Sequence, residues 1–211
     1  MPNHYCPGCG HSIIHRLLAE VIEELDIRDR AICIPPCGCA VLAYYSIDVD
    51  MVEAAHGRGT AVATGMKRCL PDRVVFTYQG DGDLAAIGTA ELIHAANRGE
   101  SITTIFVNNG VYGMTGGQMA PTTMAGQKTT TTPHGRNTVT DGPPLKMCEF
   151  LSTLDGTAYL ERTSVHSPKH IQKTKKAIRQ AFQTQLSDEG FSMVEILSQC
   201  PSNWKMSAVD S

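Results

Sequence analysis

Two polar clusters, Gly80-Asp81-Gly82-Asp83 and Asn108-Asn109, are separated, counting from Gly82, by twenty-five residues, and they constrain this chain more than any other feature in it. Each follows an apolar run with the character of a buried parallel strand, Val74 to Tyr78 and Ile102 to Val107. The segment between them, Leu84 to Asn97, carries helical patterning. Strand, glycine turn, helix and strand bring both clusters to the carboxyl ends of neighbouring strands, the edge where open α/β sheets bind ligands. Asp81 offers one hard oxygen and the Asn109 side chain a second, a set that suits Mg²⁺ when a diphosphate completes the octahedron. Gly80 and Gly82 leave the backbone bare enough for phosphate oxygens to approach.

The remaining sequence extends the same architecture. A helix begins at His11, with Ile14, Leu17, Leu18, Val21, Ile22 and Leu25 on its apolar side. Ala31 to Pro35 reads as a short strand and Val41 to Tyr45 as the first turns of a short helix. His56-Gly57-Arg58-Gly59 leads into an Ala/Gly-rich helix that ends near Cys69, and His56 and Arg58 stand just before its N-terminus, a favourable place for an anion. After Tyr112 comes a Thr-, Gly- and Pro-rich stretch running to Pro144, too long for filler in a compact domain. Its Thr129 to Thr132 run could clamp a cofactor, cover a partner subunit or lie in a flexible surface loop. Leu145 to Leu154 reads as a helix and Ala158 to Thr163 as a strand. Ser167-Pro168 starts a helix that turns Ile171, Ile178, Phe182 and Leu186 inward and a solvated Lys169, Lys173, Lys176 and Gln180 stripe outward. Phe191 to Leu197 is the last strand. The expectation is a doubly wound, mostly parallel α/β sheet with helices on both faces, formed by residues 1–211 as a single domain.

Composition narrows the functional classes. A net charge of −3 over 211 residues gives no general field for nucleic acid. The start, Met1-Pro2-Asn3-His4, lacks a basic segment followed by an apolar one, and no run approaches the roughly 18 apolar residues of a membrane span. A soluble, cytoplasmic protein is expected. Eight cysteines are too few for a disulfide scaffold of this size, which leaves metal ligation or thiol chemistry.

Cys6-Pro7-Gly8-Cys9 presents two sulfurs at a helix start, where the positive helix end favours thiolates. No strand precedes it, so metal is favoured over thioredoxin-like exchange. Cys37 and Cys39 flank Gly38, and their side chains should diverge so that only one faces a given centre. Cys33 and Cys69 read as small core residues. Cys200, followed by Pro201, arrives at the sheet edge that carries Asp81 and Asn109. Cys6, Cys9, one of Cys37 and Cys39, and Cys200 make a four-sulfur set suited either to an iron–sulfur cluster or to a tetrahedral zinc site.

The GDG…NN arrangement resembles the thiamine diphosphate motif of thiamine-dependent enzymes. The whole chain resembles the β subunit of 2-oxoacid:ferredoxin oxidoreductases, on CPGCGH at 6 to 11, GC at 38 to 39, AHGRG at 55 to 59, GDGD at 80 to 83, NNGVYGMTGGQ at 108 to 118, and Cys200-Pro201. The resemblance implies that Asp81, Asn109 and the backbone carbonyl of Val111 hold Mg²⁺ against the diphosphate of thiamine diphosphate. It further implies that Cys6, Cys9, Cys39 and Cys200 bind a [4Fe–4S] cluster, with Cys37 an extra thiol. His56, Gly57 and Arg58 would lie near the cofactor with Gly80, Gly82 and Asp83. Thr115 and Gly116 would enter the diphosphate pocket, and Met114 would keep the cofactor bent. The activity implied is oxidative decarboxylation of a 2-oxoacid to an acyl-coenzyme A, with electrons passed to ferredoxin. The glutamate that activates the cofactor would come from a partner α subunit, because this chain has room only for the diphosphate half. The competing readings are a thiamine-dependent decarboxylase or synthase half with a structural zinc, and a non-catalytic metal-binding scaffold.

Overall fold

The structure is a computed structural model that describes residues 4–211. The expectation about a leader at Met1-Pro2-Asn3 lies outside the described residues. Helix α1 (His11–Glu24) is followed by strand β1 (Ala31–Ile34), a 3₁₀ segment (Cys39–Tyr45) and the short strand β2 (Asp50–Met51). Then come α2 (Gly59–Cys69), β3 (Val74–Gly80), α3 (Thr89–Asn97), β4 (Thr103–Asn108) and the paired short strands β5 (Val111–Tyr112) and β6 (Gln118–Met119). The chain closes with α4 (Met147–Leu151), β7 (Thr157–Ser164), α5 (Pro168–Leu186), β8 (Phe191–Leu197) and α6 (Pro201–Trp204). The main sheet has six strands in the order β2-β1-β3-β4-β8-β7, and every neighbouring pair is parallel.

Burial explains why the strands are so continuously apolar. Successive residues of β3 serve opposite faces: Val74, Phe76 and Tyr78 pack under α1 and α5, while Val75 packs under α2, α3 and α4. On the first face Ile14, Leu17, Leu18, Val21 and Ile22 of α1 meet Ala177, Ile178, Ala181 and Phe182 of α5. The Phe76 and Phe182 rings cross edge to face at a centroid distance of 5.3 Å, tying the central strand to α5. On the second face Leu92, Ala95 and Ala96 of α3 join Met147 and Leu151 of α4 over Phe106 and Met193.

Four local expectations change. The Leu84 to Asn97 helix opens with a π-helical turn over Asp83–Ile87, in which the Gly88 N–H reaches the Asp83 carbonyl at 2.8 Å. Gly88 permits it, since a Cβ there would lie 2.7 Å from that carbonyl oxygen. Leu145 to Leu154 shrinks to the five residues of α4. Cys69 is exposed, whereas Cys33 is buried as expected. Leu186 at the end of α5 is also exposed. Ser167 does stand at the N-cap of α5, yet its hydroxyl pairs with His170 Nδ1 at 2.7 Å and caps no backbone N–H.

The Thr-rich stretch up to Pro144 is organised by one buried cation. Arg136 donates from Nε to the Gly142 carbonyl (3.0 Å) and from Nη1 to the carbonyls of Ala120, Pro121 and Thr123 (3.2, 2.8 and 2.6 Å). Its Nη2 donates to those of Asp141 and Pro143 (3.3 and 3.1 Å). A guanidinium has five N–H groups and no acceptor, so it gathers carbonyls that would otherwise face the interior unpaired. The Thr129 and Thr132 hydroxyls pair with each other at 2.7 Å, and the Thr130 N–H bonds the Gly117 carbonyl at 2.9 Å. The run thus braces the loop internally. No helix among the described residues is long and apolar enough to cross a membrane.

Because Phe182 is fully buried between α5 and the central strands, Phe182→Ala should cost about 3–5 kcal/mol of stability. Chemical denaturation followed by circular dichroism should show the midpoint falling with an unchanged slope.

Candidate cofactor site

Strand order reverses at β1 and β3: from β1 the sheet grows one way to β2 and the other way to β3, β4 and β8. The segments leaving the carboxyl ends of β1 and β3 therefore part, and a crevice opens between them, the usual ligand site of such sheets. A cavity of about 230 Å³ lies there, lined from β1 by Cys37, Gly38, Cys39 and Ala40, from β3 by Gly80, Asp81, Gly82 and Asp83, and beyond β4 by Asn109 and Val111 to Thr115. His11 and His56 complete the wall.

Asp81 is the pivot of this cavity. Its carboxylate is buried, and Oδ1 accepts the Asn109 N–H at 3.0 Å while Oδ2 accepts the Gly110 N–H at 2.7 Å and the Thr122 hydroxyl. Three donors leave one lone-pair direction on Oδ1 free. Burial pushes its pKa up to about 6, against the pull of those donors, since no cation is beside it. The Asn109 side-chain oxygen accepts the Val111 N–H at 3.2 Å, which also leaves it one lone pair. The Asn109 carbonyl is held from behind by the indole N–H of Trp204 at 3.0 Å.

The two glycines of the turn have different duties. A Cβ on Gly80 would meet nothing within 4 Å, so that side of the backbone is open to a ligand. A Cβ on Gly82, which also lines the cavity, would fall 2.1 Å from the Tyr112 ring, so Gly82 makes room for a side chain of the protein itself. The helical segment starts at Asp81, and the opening N–H groups of a helix have no partner within it, which suits phosphate oxygens.

Asp83 lines the cavity but faces the His56 loop. Its carboxylate accepts the Gly57 N–H at 2.6 Å and the Gln79 amide, and stands 3.1 Å from His56 Nδ1. Burial raises its pKa while these partners hold it down. His56 Nδ1 is also 3.2 Å from the Cys37 carbonyl. Flanked by two acceptors, Nδ1 is the nitrogen that donates. Arg58 is placed elsewhere: its guanidinium pairs with Glu91, and neither Arg58 nor Gly57 lines the cavity. Gly57 packs against Ile87, which a Cβ would strike at 2.4 Å. Met114 lines the wall and is half exposed, Thr115 lines it with its hydroxyl turned to Gln118 at 2.6 Å, and Gly116 lies outside the lining.

The cysteine segments converge beside this wall. The Cys6 to Cys9 turn packs on the end of β8, where Gly10 N–H meets the Gln199 carbonyl at 3.4 Å and a Cβ on Gly8 would strike Ala208 at 2.4 Å. Burial pushes the Cys39 thiol up to about 12, helped by charge on Cys200, Cys9 and Cys6, and the Cys9 thiol up to about 11, helped by Cys200 and Cys6. Those four sulfurs are within electrostatic reach of one another. Among the described residues, however, no group of three or more His, Cys, Asp or Glu side chains is arranged to hold a metal ion. Cys37 is exposed and points its thiol at Glu53 at 3.8 Å, away from the set, so the two cysteines around Gly38 do diverge. The hydroxyl of Ser198, buried between Gly10 and Cys200, has no hydrogen-bond partner among the described residues.

Several residues gain their part in the site only through tertiary contacts. His11 is fully buried, and its Nδ1 meets the Tyr78 hydroxyl; burial holds its pKa down to about 3, so it stays neutral. Tyr5 stacks on His11 at a centroid distance of 4.7 Å and donates to the Cys39 carbonyl at 3.0 Å. Thr122 reaches the site from the long loop and Asn203 from helix α6. Trp204 is the single tryptophan of the chain.

Comparison with known proteins agrees with this geometry. Residues 40–196 match the thiamine pyrophosphate enzyme, C-terminal TPP binding domain. Ketoisovalerate oxidoreductase subunit VorA of Methanothermobacter thermautotrophicus is 52% identical over 97% of this chain and 43% of its own length, so the chain spans less than half of that relative. 2-oxoglutarate synthase subunit KorB of Methanocaldococcus jannaschii is 37% identical over 95% of this chain and 70% of its own length. A solved structure of 2-oxoglutarate:ferredoxin oxidoreductase from Magnetococcus marinus, with 2-oxoglutarate, coenzyme A and succinyl-CoA bound, superposes with a TM-score of 0.83 at 32% identity, covering 96% of this chain and 66% of that one. With the crevice at the strand reversal and the family match over most of its length, the chain belongs to the KorB- and VorA-type subunits of 2-oxoacid:ferredoxin oxidoreductases, built on the thiamine pyrophosphate-binding domain.

Proposed function

We propose that this chain is the β subunit that binds the diphosphate half of thiamine diphosphate for the CoA-dependent oxidative decarboxylation of a 2-oxoacid. The observation that carries the reading is the pair Asp81 and Asn109, each buried at a strand end, each oriented by backbone N–H groups, and each with a lone pair left over at one cavity. Mg²⁺ takes such oxygens readily, with the Val111 carbonyl and the diphosphate filling further positions. The open flank of Gly80 and the start of the helical segment at Asp81 suit the phosphates.

The donor set near Cys39 supports an iron–sulfur cluster on Cys6, Cys9, Cys39 and Cys200. The Cys39 thiol feels Cys200, Cys9 and Cys6, which together with it make the four thiols such a cluster would need. A buried hydroxyl without a partner, that of Ser198, also fits a sulfur-rich group nearby. Bound thiamine diphosphate supplies the carbon nucleophile and electron sink, and a cluster supplies one-electron transfer to a ferredoxin-like acceptor. The chain's own residues orient and desolvate. Asp81 and Asn109 hold the metal end, and Cys39, Met114 and His56 line the same cavity.

The acids that line the cavity are Asp81 and Asp83, both tied to the protein's own donors, and no glutamate lines it among the described residues. This supports a partner α subunit as the source of the activating glutamate, and of the coenzyme A site. The higher identity to the ketoisovalerate subunit than to the 2-oxoglutarate one favours a branched-chain 2-oxoacid.

The reading is tested by assaying the chain alone and co-purified with its partner against 2-oxoisovalerate, 2-oxoglutarate and pyruvate, with coenzyme A and ferredoxin. Activity is expected only in the complex and highest with 2-oxoisovalerate; turnover by the isolated chain would overturn the split-site assignment.

Asp81 provides a pH signature. Its folded pKa, about 6, lies above the usual carboxylate value. The metal-free chain is therefore favoured at low pH and loses that stability as the pH rises through about 6, where the carboxylate ionises in a buried place. A divalent cation on Asp81 reverses the penalty. The gain in Tm on adding Mg²⁺ and thiamine diphosphate should be larger at pH 7.5 than at pH 5, and Asp81→Ala should abolish both the gain and its pH dependence.

For the cluster, anaerobically purified protein should contain about four iron per chain. Cys39→Ala should lose that iron, while Cys37→Ala should keep it along with the visible spectrum; one equivalent of zinc and no iron would return the structural zinc reading.

A further inference from the structure

Immediately after Cys200 the short helix α6 carries Asn203, whose carboxamide touches both halves of the site. Its Nδ2 donates to the Gly113 carbonyl at 2.9 Å and to Cys200 Sγ at 3.3 Å. A carboxamide nitrogen has two N–H groups, so both bonds form at once, and the carbonyl of Gly113 fixes which end of the amide faces the sulfur. Gly113 lies two residues beyond Val111. A Cβ built on it would lie 3.1 Å from Cys39 Sγ, 3.8 Å from Asn109 Nδ2 and 3.9 Å from Asn203 Nδ2, so the cysteine set and the proposed Mg²⁺ ligands meet at this one bare backbone position.

The rest of α6 is pinned to the same loop. The Trp204 indole holds the Asn109 carbonyl at 3.0 Å, and the Asn203 side chain packs against Gly117, where a Cβ would lie 3.0 Å from it. Helix α6 thus grips the loop on both sides of Val111. The Asn203 amide links Gly113, which lines the cavity, to the Cys200 sulfur.

We infer that Asn203 couples the two centres: it is a positioning residue whose hydrogen bond to the Cys200 sulfur sets the reduction potential of the cysteine-bound cluster according to the state of the diphosphate loop. The inference rests on the cluster and cofactor reading above. A donor to a ligand sulfur stabilises the more negative, reduced state and so raises the potential. By linkage, a potential that changes when thiamine diphosphate binds requires an equal change in cofactor affinity on reduction.

The experiment uses the complex purified anaerobically with its partner subunit, with iron measured first. Reduction potentials are then taken by EPR-monitored titration, with and without thiamine diphosphate and Mg²⁺, for the wild type, Asn203→Leu and Asn203→Asp. The expected wild-type potential shifts on cofactor binding. Asn203→Leu, without a donor, should titrate at a more negative potential, by up to about tenfold in the one-electron equilibrium, roughly 59 mV. Asn203→Asp, with an acceptor and a negative charge, should lie lower still, and the cofactor-dependent shift should vanish in both. A purely structural role would not produce that order. Equal potentials in all three proteins, or a wild-type potential indifferent to the cofactor, would overturn the inference. A wild type without iron would instead overturn the cluster reading beneath it. Should a variant fail to retain iron, Asn203→Ser takes its place in the same comparison.

Discussion

A single buried carboxylate holds the site together. Asp81 receives the N–H groups of Asn109 and Gly110 from the end of β4 and the hydroxyl of Thr122 from the long loop, so two separate chain segments are locked to the end of β3. A carboxylate inside a protein is costly unless its lone pairs are met, and here they are met by the groups that must be oriented for a metal. The remaining penalty, visible in its raised pKa, is the one that a divalent cation would remove.

The long loop can serve Asp81 only because it is itself rigid. Arg136, buried and bonded to carbonyls from Ala120 to Pro143, makes a fixed body of a segment with almost no regular structure. Thr122 and Thr123 come from the part it clamps, the first reaching Asp81 and the second the Gly110 carbonyl. Loss of this cation would be felt at the cavity without any change in a residue that lines it. Many carbonyls around one guanidinium amount to a small core made of polar groups.

The cysteine region is assembled on the same edge by close approach. Gly8 and Gly10 let the first turn lie against the end of β8, while Gly113 brings the cofactor loop against Cys39 and Asn203. Cys39 belongs to both regions, since it lines the cavity and interacts with Cys200, Cys9 and Cys6. The bare Gly113 position is the point where a larger residue would separate the cavity loop from Cys39.

Much of this was legible in the chain because parallel strands buried on both faces must be continuously apolar, and Val74 to Tyr78, Ile102 to Val107 and Phe191 to Leu197 are. Glycine next to Asp81 and paired Asn residues after the next strand marked the ligand edge for the same local reason: strand ends and turns are set by nearby residues. The divergence of Cys37 and Cys39 followed from the glycine between them. What the sequence could not decide depends on residues far apart in the chain. Thr122 on Asp81, Tyr112 over Gly82, Arg58 drawn away to Glu91, and Trp204 and Asn203 on the loop after β4 are contacts between elements, made by side chains with no periodicity to betray them. Local pattern determined which polar residues stand at the carboxyl edge of the sheet, because backbone geometry there is short-range. Only the tertiary structure decided which of their atoms keep a free lone pair, because that depends on which distant donors have already taken the others.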